Sequence, residues 1–407
     1  LHSFCQHVLT RFPVEAGISP RFQVLEERTA AELMRRAQNE ILERAAAGEE
    51  PLARAVSVLA TRVDDKSFGE TINLAVGQTR GRLRSVLGKH GNDEALFSRR
   101  LRTQLGVPDG LDDVGVVAEF CEKLRTERAQ CERVQTWLRA GAKSDQASGQ
   151  CLLNFLSGGM TADVFGDFAQ LFLTKDGEPR QRLVTQKLAA SQPALATYLT
   201  DLAERFYAIH DRRKAALTAT LTEAIVLVSM NVLAVYDRLK SARAALDYDD
   251  LIARTLALLD KKEAAQWVLY KLDGGLDHIL VDEAQDTSPE QWSIVKTLVG
   301  EFFAGVGVRD DGKVRTVFAV GDEKQSIFSF QGAAPDEFAR SLTHFRNRAE
   351  DARLPFEDVR PAVSRRSAKA ILEFVDAVFT DPRAYDGLTA AGGPPDRKST
   401  RLNSSHG

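Results

Sequence analysis

Cysteine is scarce, with only Cys5, Cys121, Cys131 and Cys151 in a chain of 407 residues. No two of them are spaced as Cys-x-x-Cys, which excludes a metal or redox motif of that kind, and four are too few for a disulfide scaffold. Such usage fits a reducing, cytoplasmic compartment. Uninterrupted apolar runs approaching about 18 residues are also lacking, so the sequence predicts a soluble chain that does not span a membrane. The opening residues, LHSFCQHVLTRFP, hold neither a basic leader nor a long apolar stretch, and no signal peptide is visible. An initiator Met is missing as well, and a chain that begins with Leu is expected to be processed or a fragment. Positive charge is not in excess: the net charge is -3. That total does not point to a nucleic-acid binder, but a basic groove on one face would not show in it.

What is present divides by texture. From about Thr29 to Leu259 the pattern is mostly helical. TAAELM opens with a Thr29-x-x-Glu32 capping box, and Leu33, Ala37, Ile41 and Leu42 continue one face. Leu217, Leu221, Ile225, Val228, Val232 and Leu239 keep a helical period over a long segment. Basic clusters lie in this block: Arg80, Arg82, Arg84 and Lys89; Arg99, Arg100 and Arg102; Arg205, Arg212, Arg213 and Lys214. They read first as solvated faces of amphipathic helices. Beyond them, HILV and TVFAV are short apolar runs, each followed at once by acidic and turn residues, as in buried parallel strands. Helical patterns separate the two, so a helical insert ahead of a doubly wound α/β segment is expected. The polar end, GGPPDRKSTRLNSSHG, has no period and reads as disordered or foreign.

In open α/β sheets ligands sit beyond the carboxyl ends of the strands, where Asp282 and Glu283 fall in ILVDEAQDTSPEQW. One carboxylate can hold a magnesium ion through its water shell while its neighbour takes a proton from an attacking water. Ser288, Pro289 and Gln291 match the N-cap, N1 and N3 positions of a helix with a capping box, so helix-start chemistry also accounts for Asp286 to Gln291. The second strand end carries VGDEKQSIFSFQGA. Gly321 and Asp322 make a turn there, Gln325 sits at the same sheet edge, and Phe328 and Phe330 lie close together, where an aromatic can stack on a base. A phosphate loop of the form G-x-x-x-x-G-K-[ST] is missing. The near match, Gly307, Gly312 and Lys313, ends in Val314, which has no hydroxyl, and leads into a strand.

DEAQD and GDEKQSIFSFQGA, in this order at two strand ends, resemble motifs II and III of the UvrD/Rep-like superfamily 1 DNA helicases. LHSFCQHVLTRFPVEAGISP is similar to the motif Ib region, ALDYDDLI to the short motif before motif II, and VSRRSAKAILEFVDAVF to motif IV. Within that superfamily, RFPVEAGISPRFQVLEE, FLTKDGEPR and GDEKQSIF look most like the AddA-type helicase-nuclease subunits of bacterial double-strand-break repair, a likeness that reaches to about residue 385. The resemblance implies a P-loop NTPase-type, RecA-like α/β motor domain with a large helical insertion and the start of a second motor domain. Its parts would be 1–25 and 241–345 for the first motor, 26–240 for the insertion and 346–390 for the second motor, with 391–407 as tail.

Carried over by residue, the resemblance implies magnesium coordination by Asp282 and water activation by Glu283. Gln285 would couple the site to DNA, with Gln285 and Asp322 beside the nucleotide. Gln325 would sense the γ-phosphate, and Arg366 would reach the phosphates from the second domain as an arginine finger does. His2, Ser3 and Phe4 would lie along single-stranded DNA, and Phe330 would stack on a base. One departure stands out: Gln331 occupies a position where the family usually has Arg, and a neutral amide pairs with phosphate only weakly. The implied cofactors are ATP and Mg2+. The implied partners are an AddB-like subunit, single-stranded DNA and double-stranded DNA ends, and the implied movement is 3'-to-5'. On this reading the phosphate loop lies upstream of Leu1, and the 407 residues are a fragment, inactive by itself, that lacks motifs V and VI. The alternative is a non-hydrolysing DNA-binding or scaffold protein with a degenerate motor fold.

Overall fold

Two pairs of short parallel strands carry the α/β character of the chain. A computed structural model describes residues 1–62, 65–77, 83, 93–273, 276–303, 314–322, 335–359, 368–379, 381 and 384. Strand β1 (Gln23–Val24) pairs in parallel with β2 (Ala245–Leu246), and β3 (His278–Val281) pairs in parallel with β4 (Thr316–Ala319), His278 opposite Thr316 and Val281 opposite Ala319. The helices around them are α1 (His2–Arg11), α2 (Glu27–Ala46), α3 (Pro193–Ser241), α4 (Tyr248–Asp260), α5 (Lys262–Asp273), α6 (Pro289–Phe303) and α7 (Pro335–Asp351). The chain divides into two compact units, residues 1–39 with 233–407, and residues 40–232.

In the first unit, side chains alternate along β3 and β4, as the pleat requires. Ile279, Val281 and Val317 face a cluster of Trp292, Val295, Val299 and Phe345 supplied by α6 and α7. The opposite face is open, with Leu280 72% and Phe318 57% exposed. This corrects the expectation of fully buried strands, because an unbroken apolar run does not reveal that only one of its two faces is covered. A second cluster joins Cys5, Val8 and Leu9 of α1 to Leu251, Ile252 and Leu258 of α4, Val268 of α5 and Ile294 of α6.

The second unit is helical around an aromatic core. Phe155 and Phe168 approach to 4.5 Å between ring centres, and Phe172 and Phe206 to 4.8 Å. Its basic clusters are mostly committed to ion pairs. Arg102 is buried, donates twice to Glu223 at 2.7 Å and reaches the carbonyls of Pro108 and Leu111, so it is no part of a solvated face. Arg205 grips Glu127 through two bonds of 2.6 and 2.9 Å, and Tyr198 donates to the same carboxylate at 2.6 Å. The guanidinium holds the Glu127 carboxyl down at about 2 against the opposing effect of partial burial. Arg80, Arg82, Arg84 and Lys89 lie outside the described residues.

Three local expectations change. Helix α2 begins at Glu27, two residues before the expected cap at Thr29, so Thr29 stands inside the first turn, where Glu27 suits the helix dipole. Leu33, Ala37 and Ile41 are buried as expected, whereas Leu42, one residue and about 100° further round, is exposed. Helix α3 contains an 18-residue window of mean hydropathy 1.7, long and apolar enough to cross a membrane by length and composition, with 44% of it buried. Uncharged Ser, Thr and Asn interrupt the apolar run there without lowering the window average much. A core helix passes the same test, so the window does not make α3 a membrane span.

Candidate active site

Where β3 ends, the backbone turns abruptly. Asp282 follows the strand, and its Oδ1 accepts a hydrogen bond of 3.0 Å from the Glu283 amide. Glu283 adopts the left-handed conformation, φ 48° and ψ 48°, which is uncommon for a residue with a Cβ. Strain of this kind concentrates at functional sites. A single 3-10 turn, Ala284–Asp286, follows. The result is two adjacent, exposed carboxylates at the carboxyl end of a strand, in place of the buried pair that the strand pattern suggested.

The continuation of β4 closes over the same turn. Val320 donates its amide to the Val281 carbonyl and accepts at its own carbonyl from the Ala284 amide, both at 2.9 Å. Gln285, only 2% exposed, lies between the two strand ends. Its Nε2 donates to Glu283 Oε2 at 2.7 Å, and its Oε1 accepts from the Asp322 amide at 2.9 Å. The approach is so close that a Cβ on Gly321 would stand 2.7 Å from Gln285 Oε1 and 3.1 Å from the Ala284 Cβ, so a glycine is required there. Sequence reasoning placed Asp322 near the site but missed this bridge, which joins residues 37 apart.

Downstream, the expected cap forms. The Ser288 amide donates to Gln291 Oε1 at 3.1 Å and the Gln291 amide donates to Ser288 Oγ at 3.3 Å, which starts α6 immediately behind the carboxylates. Trp292, 1% exposed, anchors that helix on Ala284 and Phe345. Upstream, the DYDD segment carries a feature that the sequence reading passed over: Lys240, at the end of α3, is buried against Asp247 at 2.9 Å and against Asp250, while Asp247 and Asp250 cap α4 reciprocally. The Asp-x-x-Asp spacing was its only sequence signal.

The remaining site residues separate. His2 packs edge-on against Tyr248 at 5.2 Å, and burial, followed by the N-terminal ammonium, lowers its pKa. Ser3 is exposed, and Phe4 leans on the core of the first unit. Gln325, Phe330 and Arg366 lie outside the described residues, as do Gln331 and the near match at Gly307, Gly312 and Lys313. For a divalent cation, Asp282 offers an exposed carboxylate. Among the described residues no three His, Cys, Asp or Glu side chains form a cage. One carboxylate at an open strand end fits magnesium, which keeps water and takes its other ligands from phosphate oxygens.

Comparison with known proteins agrees with this geometry. The chain is 24% identical to an AddA-type ATP-dependent helicase/nuclease of Ruminiclostridium cellulolyticum over 93% of its own length and 31% of that protein. It is 25% identical to the protein of the same name from Latilactobacillus sakei over 51% of the chain and 22% of the relative. The ATP-dependent DNA helicase UvrD1 of Mycobacterium bovis is 38% identical over 28% of the chain and 14% of the relative. The chain thus spans less than a third of each of these proteins. The model of the UvrD/REP helicase N-terminal domain matches residues 1–346, and the chain belongs to that family.

Proposed function

We propose that this chain is part of an ATP-dependent DNA helicase that moves 3'-to-5' on single-stranded DNA during double-strand-break repair, partnered by a subunit of the AddB kind. The family implies a P-loop NTPase motor. We read residues 1–25 and 241–345 as the first motor domain, 26–240 as its helical insertion and 346–390 as the opening of a second motor domain. The observation that carries the proposal is the pair Asp282 and Glu283, exposed together at the end of β3 with Gln285 between them and the end of β4.

In this mechanism Asp282 holds a magnesium ion that arrives with ATP. When bound, the ion neutralises charge on the phosphate oxygens. Glu283 accepts the proton of the attacking water at its carboxylate, and the left-handed turn aims that carboxylate away from the strand. Gln325 and Arg366 read and stabilise the γ-phosphate, and Asp322 lines the nucleotide side. His2, Ser3, Phe4 and Phe330 track the DNA strand. Closure of two motor domains around the nucleotide then moves the DNA. Steady-state ATP hydrolysis by the whole protein, with and without single-stranded DNA, tests this. Stimulation of about tenfold or more is expected. Equal rates with and without DNA would overturn it.

A further inference from the structure

Gln285 is placed to do more than its position in the motif requires. Its amide spans two strand ends: Nε2 holds Glu283 Oε2 at 2.7 Å, and Oε1 receives the Asp322 amide at 2.9 Å. An amide is the one common side-chain group that donates at one end and accepts at the other over this span. A carboxylate in its place would repel Glu283, and an ammonium could not accept from Asp322. Gly321 completes the arrangement by letting the backbone come within reach of Oε1. The burial of Gln285 beneath two exposed acids leaves the side chain behind the reacting surface.

We propose that Gln285 is a positioning residue that ties the orientation of the Glu283 carboxylate to the position of the Gly321–Asp322 turn. A displacement of that turn, at the head of the segment that contains Gln325, is passed through Oε1 and Nε2 to Glu283. The inference rests on the hydrolytic role of Glu283 given above. It reassigns Gln285 from contact with nucleotide or DNA to control of the base.

Three variants of the whole protein test it: Gln285→Ala, the near-isosteric Gln285→Glu, and Gly321→Ala, whose Cβ pushes on Oε1. ATP turnover, KM for ATP and single-stranded-DNA affinity are read for each, with Glu283→Gln as reference and circular dichroism as a check on folding. In Gln285→Ala and Gly321→Ala, kcat falls about 10- to 100-fold, as expected for a base displaced by a fraction of an ångström to an ångström. KM and DNA affinity stay within about threefold, and the double variant is no slower than Gln285→Ala alone. Gln285→Glu adds a carboxylate to a place already bordered by Asp282, Asp286 and Asp322, so the acidic limb of its kcat profile moves to higher pH. A rise in KM or loss of DNA affinity with kcat unchanged makes Gln285 a ligand contact and overturns the inference, as does an unmoved pH limb in Gln285→Glu. If wild type turns over ATP, Glu283→Gln does not, and the Gln285 variants are normal, this inference alone fails. If Glu283→Gln is active or wild type hydrolyses no ATP, the hydrolytic reading fails with it.

Discussion

Replacing Lys240 by Met removes one charge from the place where α3 meets the cap of α4. Lys240 is 3% exposed, with its ammonium 2.9 Å from Asp247, 3.2 Å from Asp237, in contact with Asp250 and 4.3 Å from the Tyr236 ring centre. Met keeps the stem volume, so the loss is electrostatic. Removing one partner of a buried ion pair costs about 3–5 kcal/mol. A loss of about 4 kcal/mol corresponds to roughly a thousandfold in an opening equilibrium, a large share of the roughly 5–15 kcal/mol that holds a domain. Hydrogen exchange of the amides in 248–260 is the assay, because α4 is capped by the two aspartates that Lys240 bridges. Asp250→Asn, added to Lys240→Met, removes one of the carboxylates left facing each other while keeping an acceptor for the Asp247 amide. The double variant should therefore lose less than the sum of the two singles by about 1–3 kcal/mol. Strict additivity, or protection in Lys240→Met within threefold of wild type, would refute the reasoning.

Trp292→Ala opens a cavity against Val295, Val299 and Phe345 directly behind the carboxylates, and should lower the stability of the first unit by about 3–5 kcal/mol in urea unfolding followed by circular dichroism. Glu127→Gln tests the Arg205 grip in the second unit. Because the folded carboxyl sits at about 2, below its ordinary 4.5, wild type holds an advantage above pH 4.5 that disappears as pH falls towards 2. With the Glu127 side chain about a third exposed, that advantage is discounted to about 1–2 kcal/mol, and chemical unfolding at pH 7 and at pH 3 measures it. The thiols give a fourth check: burial pushes Cys121 up to about 11 and raises Cys5 and Cys131, so maleimide at pH 7.5 should label half-buried Cys151 first by peptide mass spectrometry.

How much was legible in the sequence follows the reach of each interaction. The strands HILV and TVFA and the Ser288–Gln291 cap were readable because their signals lie within a few residues. The Gln285 bridge to Asp322 and the burial of Arg102 beneath Glu223 were not, since their partners stand 37 and 121 residues away and neither residue type advertises its partner. Arg102 within a run of arginines looks like a solvated cation until its carboxylate is found. The face of a strand that meets solvent was equally hidden, because Leu280 and Ile279 are indistinguishable by type. The left-handed turn at Glu283 carries no glycine to signal it.

The measurement that bears most directly on the hydrolytic role of Asp282 and Glu283 is single-turnover ATP cleavage by the whole protein on single-stranded DNA, comparing wild type with Glu283→Gln and reading nucleotide binding in the same samples. The account predicts that Glu283→Gln binds ATP and DNA as wild type does and cleaves ATP about 10²–10⁴ times more slowly. Cleavage by Glu283→Gln within a few fold of wild type would contradict it.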